Sequence, residues 1–149
     1  MNRTEMEIRT KEYWICLQYE PLCVESSEAF VHDDTCGSVL SFSGRTRNIF
    51  EEKRVVQLTY ECYVPMALKE MEKIALTMIK NYAPIRIAMV HRLGDVGIGE
   101  TSVIISVATT HRVASYDASR YAIDTLKKQV PIFKKEIYEG GSTWKANKH

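Results

Sequence analysis

Apolar side chains recur along this chain with two different periods, and the switches between them, punctuated by proline and glycine, mark out its elements. Tyr13-Trp14-Ile15-Cys16-Leu17 is a run of strand formers stopped by Pro21, which predicts a first strand. Val24 to Asp34 has room for one short helix, Cys36 to Phe42 reads as a second strand, and the polar stretch from Ser43 to Lys53 reads as a loop. From Arg54 to Tyr63 the period is two: Val56, Leu58, Tyr60 and Cys62 face one way and Gln57, Thr59 and Glu61 the other, the pattern of a half-buried strand.

The period then lengthens. Pro65 opens a helix where its missing N–H costs nothing, and Met71, Ile74, Ala75, Met78 and Tyr82 follow on one face until Pro84. Ile85 to Val90 is an apolar strand, Gly94 and Gly99 bracket a turn, and Thr101 to Val107 forms another strand. A second helix is expected from near Thr110, whose hydroxyl would cap it, to about Gln129, with Ala114, Ala118, Tyr121, Ala122 and Leu126 inward and Pro131 ending it. The remainder, Ile132 to His149, reads as short extended pieces around a Gly140-Gly141 turn. This order predicts an α+β domain with helices packed on a mainly antiparallel sheet.

Length and composition narrow the class. The 149 residues, 45% hydrophobic, suit one globular domain over 1–149, with 1–11 and 145–149 expected to be flexible. Twenty basic against nineteen acidic side chains give a net charge of +1, so a nucleic-acid partner is not expected and any anion site must be local. No apolar run is long enough for a membrane span or signal core, so no membrane is expected either, and the cytosol is the expected compartment. Cys16, Cys23, Cys36 and Cys62 form no paired or zinc-ligand motif and read as free thiols; the four scattered histidines build no metal site.

The residues that carry charge fall in a few places. Thr109-Thr110-His111-Arg112 sits at a helix start, where free N–H groups favour an anion; it reads equally as a solvated helix end. Lys127-Lys128 and Lys134-Lys135 flank Pro131, which breaks the helix, so Lys127 and Lys134 can converge only through a bend. They read either as dipole partners on a wet surface or as a cluster that lowers a lysine pKa into a useful range. Arg45 and Arg47 occupy the expected loop; His91-Arg92 closes a strand as a structural pair, His32 is surface, and Tyr60, Tyr63, Tyr116 and Tyr121 fit core or interface positions. Phosphate-loop, nucleophile-elbow and zinc-protease signatures are absent. On these grounds alone the chain is an α+β domain with a possible small-anion pocket.

Five segments, in order, go further. They are Phe42 to Asn48 (FSGRTRN), Tyr60 to Met66 (YECYVPM), His91 to Gly94 (HRLG), Thr110 to Arg112 (THR), and Leu126 to Glu136 (LKKQVPIFKKE). Taken together from about Cys36 through Trp144, the sequence resembles the large, catalytic subunits of molybdopterin synthase, the MoaE family, with a tail similar to animal members. Two positions depart from the family pattern: Phe133 stands where tryptophan is usual, and Ile49 where many bacterial members have histidine.

The resemblance implies an α/β-hammerhead fold and a heterotetramer with a central homodimer of large subunits. It implies a small ubiquitin-like subunit whose C-terminal Gly-Gly thiocarboxylate donates sulfur, and cyclic pyranopterin monophosphate as the substrate that receives the dithiolene. No cofactor or metal is implied for the transfer. By matching position, Lys127 is the catalytic amine and Lys134 its companion, while Arg47, His111 and Arg112 join the two lysines in holding the substrate's anionic groups. The competing readings are a non-catalytic α+β module that binds a small anionic metabolite, and a paralogue that keeps the assembly surface without turnover; the intact Lys127 and Lys134 count against the paralogue.

Overall fold

The strands Tyr13–Gln18 (β3), Arg86–Arg92 (β7) and Thr101–Thr109 (β9) are buried almost end to end, because helices cover both faces of the sheet they form. The structure, a computed structural model, describes residues 2–3, 5–84 and 86–147, with side chains from residue 5 onward; Ile85 and the final two residues of the expected tail lie outside the described residues. Asn2–Arg3 (β1), Glu7–Arg9 (β2) and Ser38–Arg45 (β4) complete a six-stranded sheet in the order β1-β2-β3-β7-β9-β4. Only β3 and β7 run parallel in it.

Alternation along these strands sends neighbouring side chains to opposite faces. On one face Trp14, Cys16, Ala88, Val90 and Ala108 enclose Val31 of the helix Val24–Val31 (α1). On the other, Ile15, Leu17, Ile87, Met89 and Val107 join the main core with the helices Val64–Tyr82 (α2) and Arg112–Gln129 (α3). The expected periodic residues of α2 hold: Met71, Ile74, Ala75 and Met78 are buried. In α3 the inward face also takes Ser115, Ser119 and Thr125, small polar residues that the apolar count passed over.

A second sheet closes the other side of that core. Lys53–Cys62 (β6) is its centre, flanked by Ile132–Tyr138 (β10), by Ile49–Phe50 (β5) and by Gly94–Gly97 (β8), with Gly141–Ala146 (β11) beyond β10. The result is the α+β, mainly antiparallel architecture expected. No described helix is long and apolar enough to cross a membrane.

Two expectations change. Val56 is half exposed and Val55 buried, the reverse of strict alternation, because β10 skips Val56: Tyr138 pairs with Val55 and Ile137 with Gln57. This bulge returns Leu58 and Tyr60 to the core. The loop expected over 43–53 is mostly strand: β4 runs to Arg45, and β5 turns into β6 through Glu51 and Glu52, both at positive φ (50° and 65°). Such two-residue turns favour Asn-Gly, so Glu-Glu gave no signal. Of the tyrosines expected at core or interface positions, Tyr60 is core, while Tyr63 and Tyr116 lie on the surface of the single chain. Among the described residues of the two terminal segments, Ile8 of β2 is fully buried and Asn147 is 3% exposed behind β11.

The strained turn yields a first prediction. Replacing Glu51-Glu52 by Asn-Gly relieves about 1 kcal/mol or more of left-handed backbone strain and is expected to raise stability in urea unfolding. An unchanged or lower midpoint at equal m-value would show that the turn is not strained as described.

Candidate active site

The β4–β5 connection, the end of α3 and the inner face of β10 meet around an open cleft of about 320 Å³. Its floor is apolar (Phe42, Phe50, Val55 and Leu58), and Arg45, Arg47, Lys127 and Lys134 supply positive charge.

Each cation has a backbone reason for its place. At Gly44 a Cβ would stand 2.8 Å from Val103 Cγ1, so only glycine lets β4 lie this close to β9. The ladder then shifts register between Gly44 and Arg45, which swings the chain out of the sheet. Thr46 is pinned on both sides to the β8–β9 turn: its N–H donates to the Glu100 carbonyl (3.1 Å), and Gly99 N–H donates to its carbonyl (2.9 Å). Arg47 therefore projects from a fixed loop, its guanidinium 5.8 Å from the Phe50 ring centre.

Lys127 lies in the last turn of α3. Val130 N–H closes the helix onto the Leu126 carbonyl at 3.1 Å, and Pro131 forces the chain out into β10. Period-two alternation in β10 then turns Ile132, Lys134 and Glu136 inward and Phe133 outward. The bend expected from Pro131 thus brings Lys127 and Lys134 into one cleft, while Lys128 is exposed and Lys135 lies 5.8 Å from the Trp144 ring centre.

Burial and then the charge of Lys134 lower the Lys127 pKa to about 8. Lys134, 4% exposed, is also shifted down by burial, and Lys145 and Arg47 add to the shift while Glu136 opposes it. Glu136, 1% exposed, forms an ion pair with Lys145 at 2.8 Å. Lys134 and Lys145 stand 5.7 and 4.1 Å from the Phe50 ring centre, so with Arg47 three cations surround one aromatic ring.

The amine of Lys127 donates to Asn147 Oδ1 at 2.9 Å, and the Asn147 amide meets His91 Nε2 at 3.1 Å. His91, fully buried, is a structural residue as expected, but its Nδ1 bonds the carbonyl of Arg92 (2.8 Å), and the Arg92 side chain turns instead to Tyr19 and Glu100. Sequence reasoning missed Glu136, Lys145 and Asn147. Alternation in β10 was a usable signal for Glu136; nothing local marks Asn147.

His111 and Arg112 do not join this cleft within one chain. Both are exposed at the opposite end of α3, and the fifteen steps from Arg112 to Lys127 span about 22 Å at 1.5 Å per residue. The expected cap also differs: His111 is the N-cap residue, without a side-chain cap, and the buried Thr109 hydroxyl, not that of Thr110, bonds the turn at the His111 carbonyl (2.5 Å) and Ser115 (2.6 Å). His32 is exposed beside Asp34, as expected. Among the described residues no group of three His, Cys, Asp or Glu side chains is placed to hold a metal.

Comparison with known proteins agrees with this architecture. The profile of the MoaE protein family matches residues 17–129. A human molybdopterin synthase catalytic subunit is 47% identical over 144 residues, covering 97% of this chain and 76% of the human protein. The Dictyostelium discoideum catalytic subunit is 48% identical over 121 residues, 78% of this chain and 77% of that protein. The crystal structure of molybdopterin synthase from Staphylococcus aureus superposes with a TM-score of 0.85 at 32% identity, covering 97% of this chain and 98% of that one. The profile match and this near half identity across nearly the whole length place the chain in the MoaE family.

Proposed function

We propose that this chain is the catalytic subunit of a molybdopterin synthase, transferring sulfur from a small thiocarboxylated partner to cyclic pyranopterin monophosphate. The observation that supports this best is that Arg47, Lys127 and Lys134 share one cleft, with a lysine pKa brought down to about 8. The reaction must unite two anions, the substrate phosphate and the donor thiocarboxylate. Cations fixed beforehand around Phe50 offset that repulsion and stabilise charge at the attacked carbon without reorganising. A pKa near 8 leaves Lys127 a minority of neutral amine at pH 7, so it is equipped to move a proton.

The cleft is open, as entry of an extended Gly-Gly tail requires, because glycines let a backbone approach closely. The free cysteines carry no transfer motif: Cys16 is pushed up to about 12 and Cys62 to about 11 by burial, which suppresses the thiolate needed to carry sulfur. Free thiols also fit the cytosol, where we place the protein. Mixing the chain with a thiocarboxylated partner and the precursor should give dithiolene product, and a partner without its last two residues should give none. Product in neither case would favour the non-catalytic anion-binding module.

His111 and Arg112, about 22 Å along α3 from Lys127, contact the same substrate only if a second copy of the chain supplies them, as the central homodimer of this reading allows. Lys127→Ala and Arg112→Ala should each be inactive alone, yet mixed dimers should regain up to about a quarter of normal turnover, since each mixed dimer holds one intact composite site. No recovery on mixing would exclude shared sites.

A further inference from the structure

We propose that Asn147, held by His91, is a positioning residue that fixes the Lys127 amine within the cleft, an inference that rests on the reading of Lys127 as the catalytic amine. Nothing in the charge pattern of the cleft requires it; the hydrogen-bond chain behind the cleft does.

The order of donors and acceptors in that chain is forced. The Arg92 carbonyl can only accept, so His91 Nδ1 carries the proton and donates to it at 2.8 Å. His91 is fully buried, and its pKa is lowered to about 3, chiefly by that burial, so the ring is neutral and Nε2 keeps a lone pair. The Asn147 amide nitrogen must then donate to Nε2 (3.1 Å), which turns Oδ1 toward Lys127, a group that donates across 2.9 Å. Flipping the amide would set oxygen against a lone pair and NH₂ against an ammonium. A backbone carbonyl of β7 thereby decides which atom Lys127 meets.

The relay is anchored as well as ordered. Asn147 N–H donates to the Ile132 carbonyl at 3.1 Å, tying it to the start of β10, and Tyr60 packs edge-on against His91 with ring centres 4.9 Å apart. Asn147 is 3% exposed. Lysine carries a long stem with much rotamer freedom, and a reacting group displaced by about 1 Å loses on the order of a hundredfold in rate. A buried acceptor fixed to two strands removes that freedom at the amine itself.

The test uses the chain assembled with a thiocarboxylated partner and the pterin precursor. Its readouts are kcat, KM and the pH midpoint at which an acylating reagent labels Lys127, followed by mass spectrometry. The charged and titratable groups around that amine are Lys134 and Glu136 from β10, Arg45 from the end of β4, Arg47 from the β4–β5 loop, Tyr60 from β6 and His91 from β7, and these stay constant across the variants. Asn147→Leu, which removes the acceptor, should lower kcat at least about tenfold with KM within about twofold, and should move the midpoint down. Asn147→Asp, which adds a carboxylate, should move the midpoint up. If Asn147→Leu shows no cooperative unfolding, the Asn147→Asp midpoint decides alone.

Midpoints that do not move apart, kcat within about threefold of the parent, or a change confined to KM would overturn the positioning role. Lys127→Ala separates the layers. Normal turnover in it would remove the catalytic-amine reading and this inference together, whereas its inactivity alongside unaltered Asn147 variants would sink positioning alone.

Discussion

Lys127→Ala is expected to reduce dithiolene formation by roughly 10²- to 10⁴-fold, the range a positioned acid or base contributes, while the protein stays folded and is no less stable at neutral pH. Lys127 packs at the rim of the core, with Lys134 beside it and one acceptor, Asn147 Oδ1. Removing its charge relieves two effects that act in the same direction, the penalty of partial burial and repulsion by Lys134.

The sign of the stability effect follows from linkage. The folded pKa is about 8, below the ordinary 10.5 of the unfolded chain. Below pH 8 both states hold the proton, and the folded state bears the whole penalty. Between 8 and 10.5 the unfolded state binds more protons than the folded one, so the parent gains stability as pH rises. Lys127→Met, which keeps the stem, should therefore exceed the parent by about 1 to 3 kcal/mol at pH 7, after discounting for the orphaned Asn147 acceptor, and the gap should close as pH approaches 10.5. Lys127→Arg should fail in turnover, because guanidinium keeps its proton. Turnover near that of the parent in Lys127→Ala would remove the residue from catalysis; a Met variant whose advantage grows with pH would show that the shift has the opposite sign.

Glu136→Leu carries the second large effect. Glu136 is 1% exposed, ion-pairs with Lys145, and is the one group that raises the Lys134 pKa against three influences that lower it. Breaking a buried pair by removing one partner typically costs about 3–5 kcal/mol, and Lys145, with 29% of its side chain exposed, recovers some of that by turning to water. A loss of roughly 2 to 3 kcal/mol in urea unfolding is expected, with reduced turnover as Lys134 sheds its charge more readily. The double variant with Lys145→Met should regain part of the stability, because it also removes a like charge from Lys134. A midpoint unchanged in Glu136→Leu would mean that the ion pair contributes nothing measurable.

Particular elements show where sequence reasoning held and where it ended. The face of α2 and the strands β3, β7 and β9 were legible because apolar periodicity and Pro65, Pro84 and Pro131 are local signals that packing reinforces. The convergence of Lys127 and Lys134 was also foreseeable, since Pro131 admits only a bend there. The Val56 bulge was not legible: it is set by the register of β10 across from it, and Val55 and Val56 are the same residue type. Nor was the Glu51-Glu52 turn, which runs against backbone preference and is held by the strands on either side.

The site divides along the same line. Residue type and order determined which cations exist and, through resemblance, which of them belong to the family's pattern. Tertiary structure alone decided that Arg47 shares a cleft with the two lysines and that His111 and Arg112 stand at the far end of α3. It also decided that Glu136, Lys145 and Asn147 enclose the amines. The physical reason is range: strand alternation, helix period and proline act over a few residues, whereas the His91-Asn147-Lys127 relay joins groups 20 and 56 residues apart, and the desolvation of the amines exists only once the two sheets close over one core.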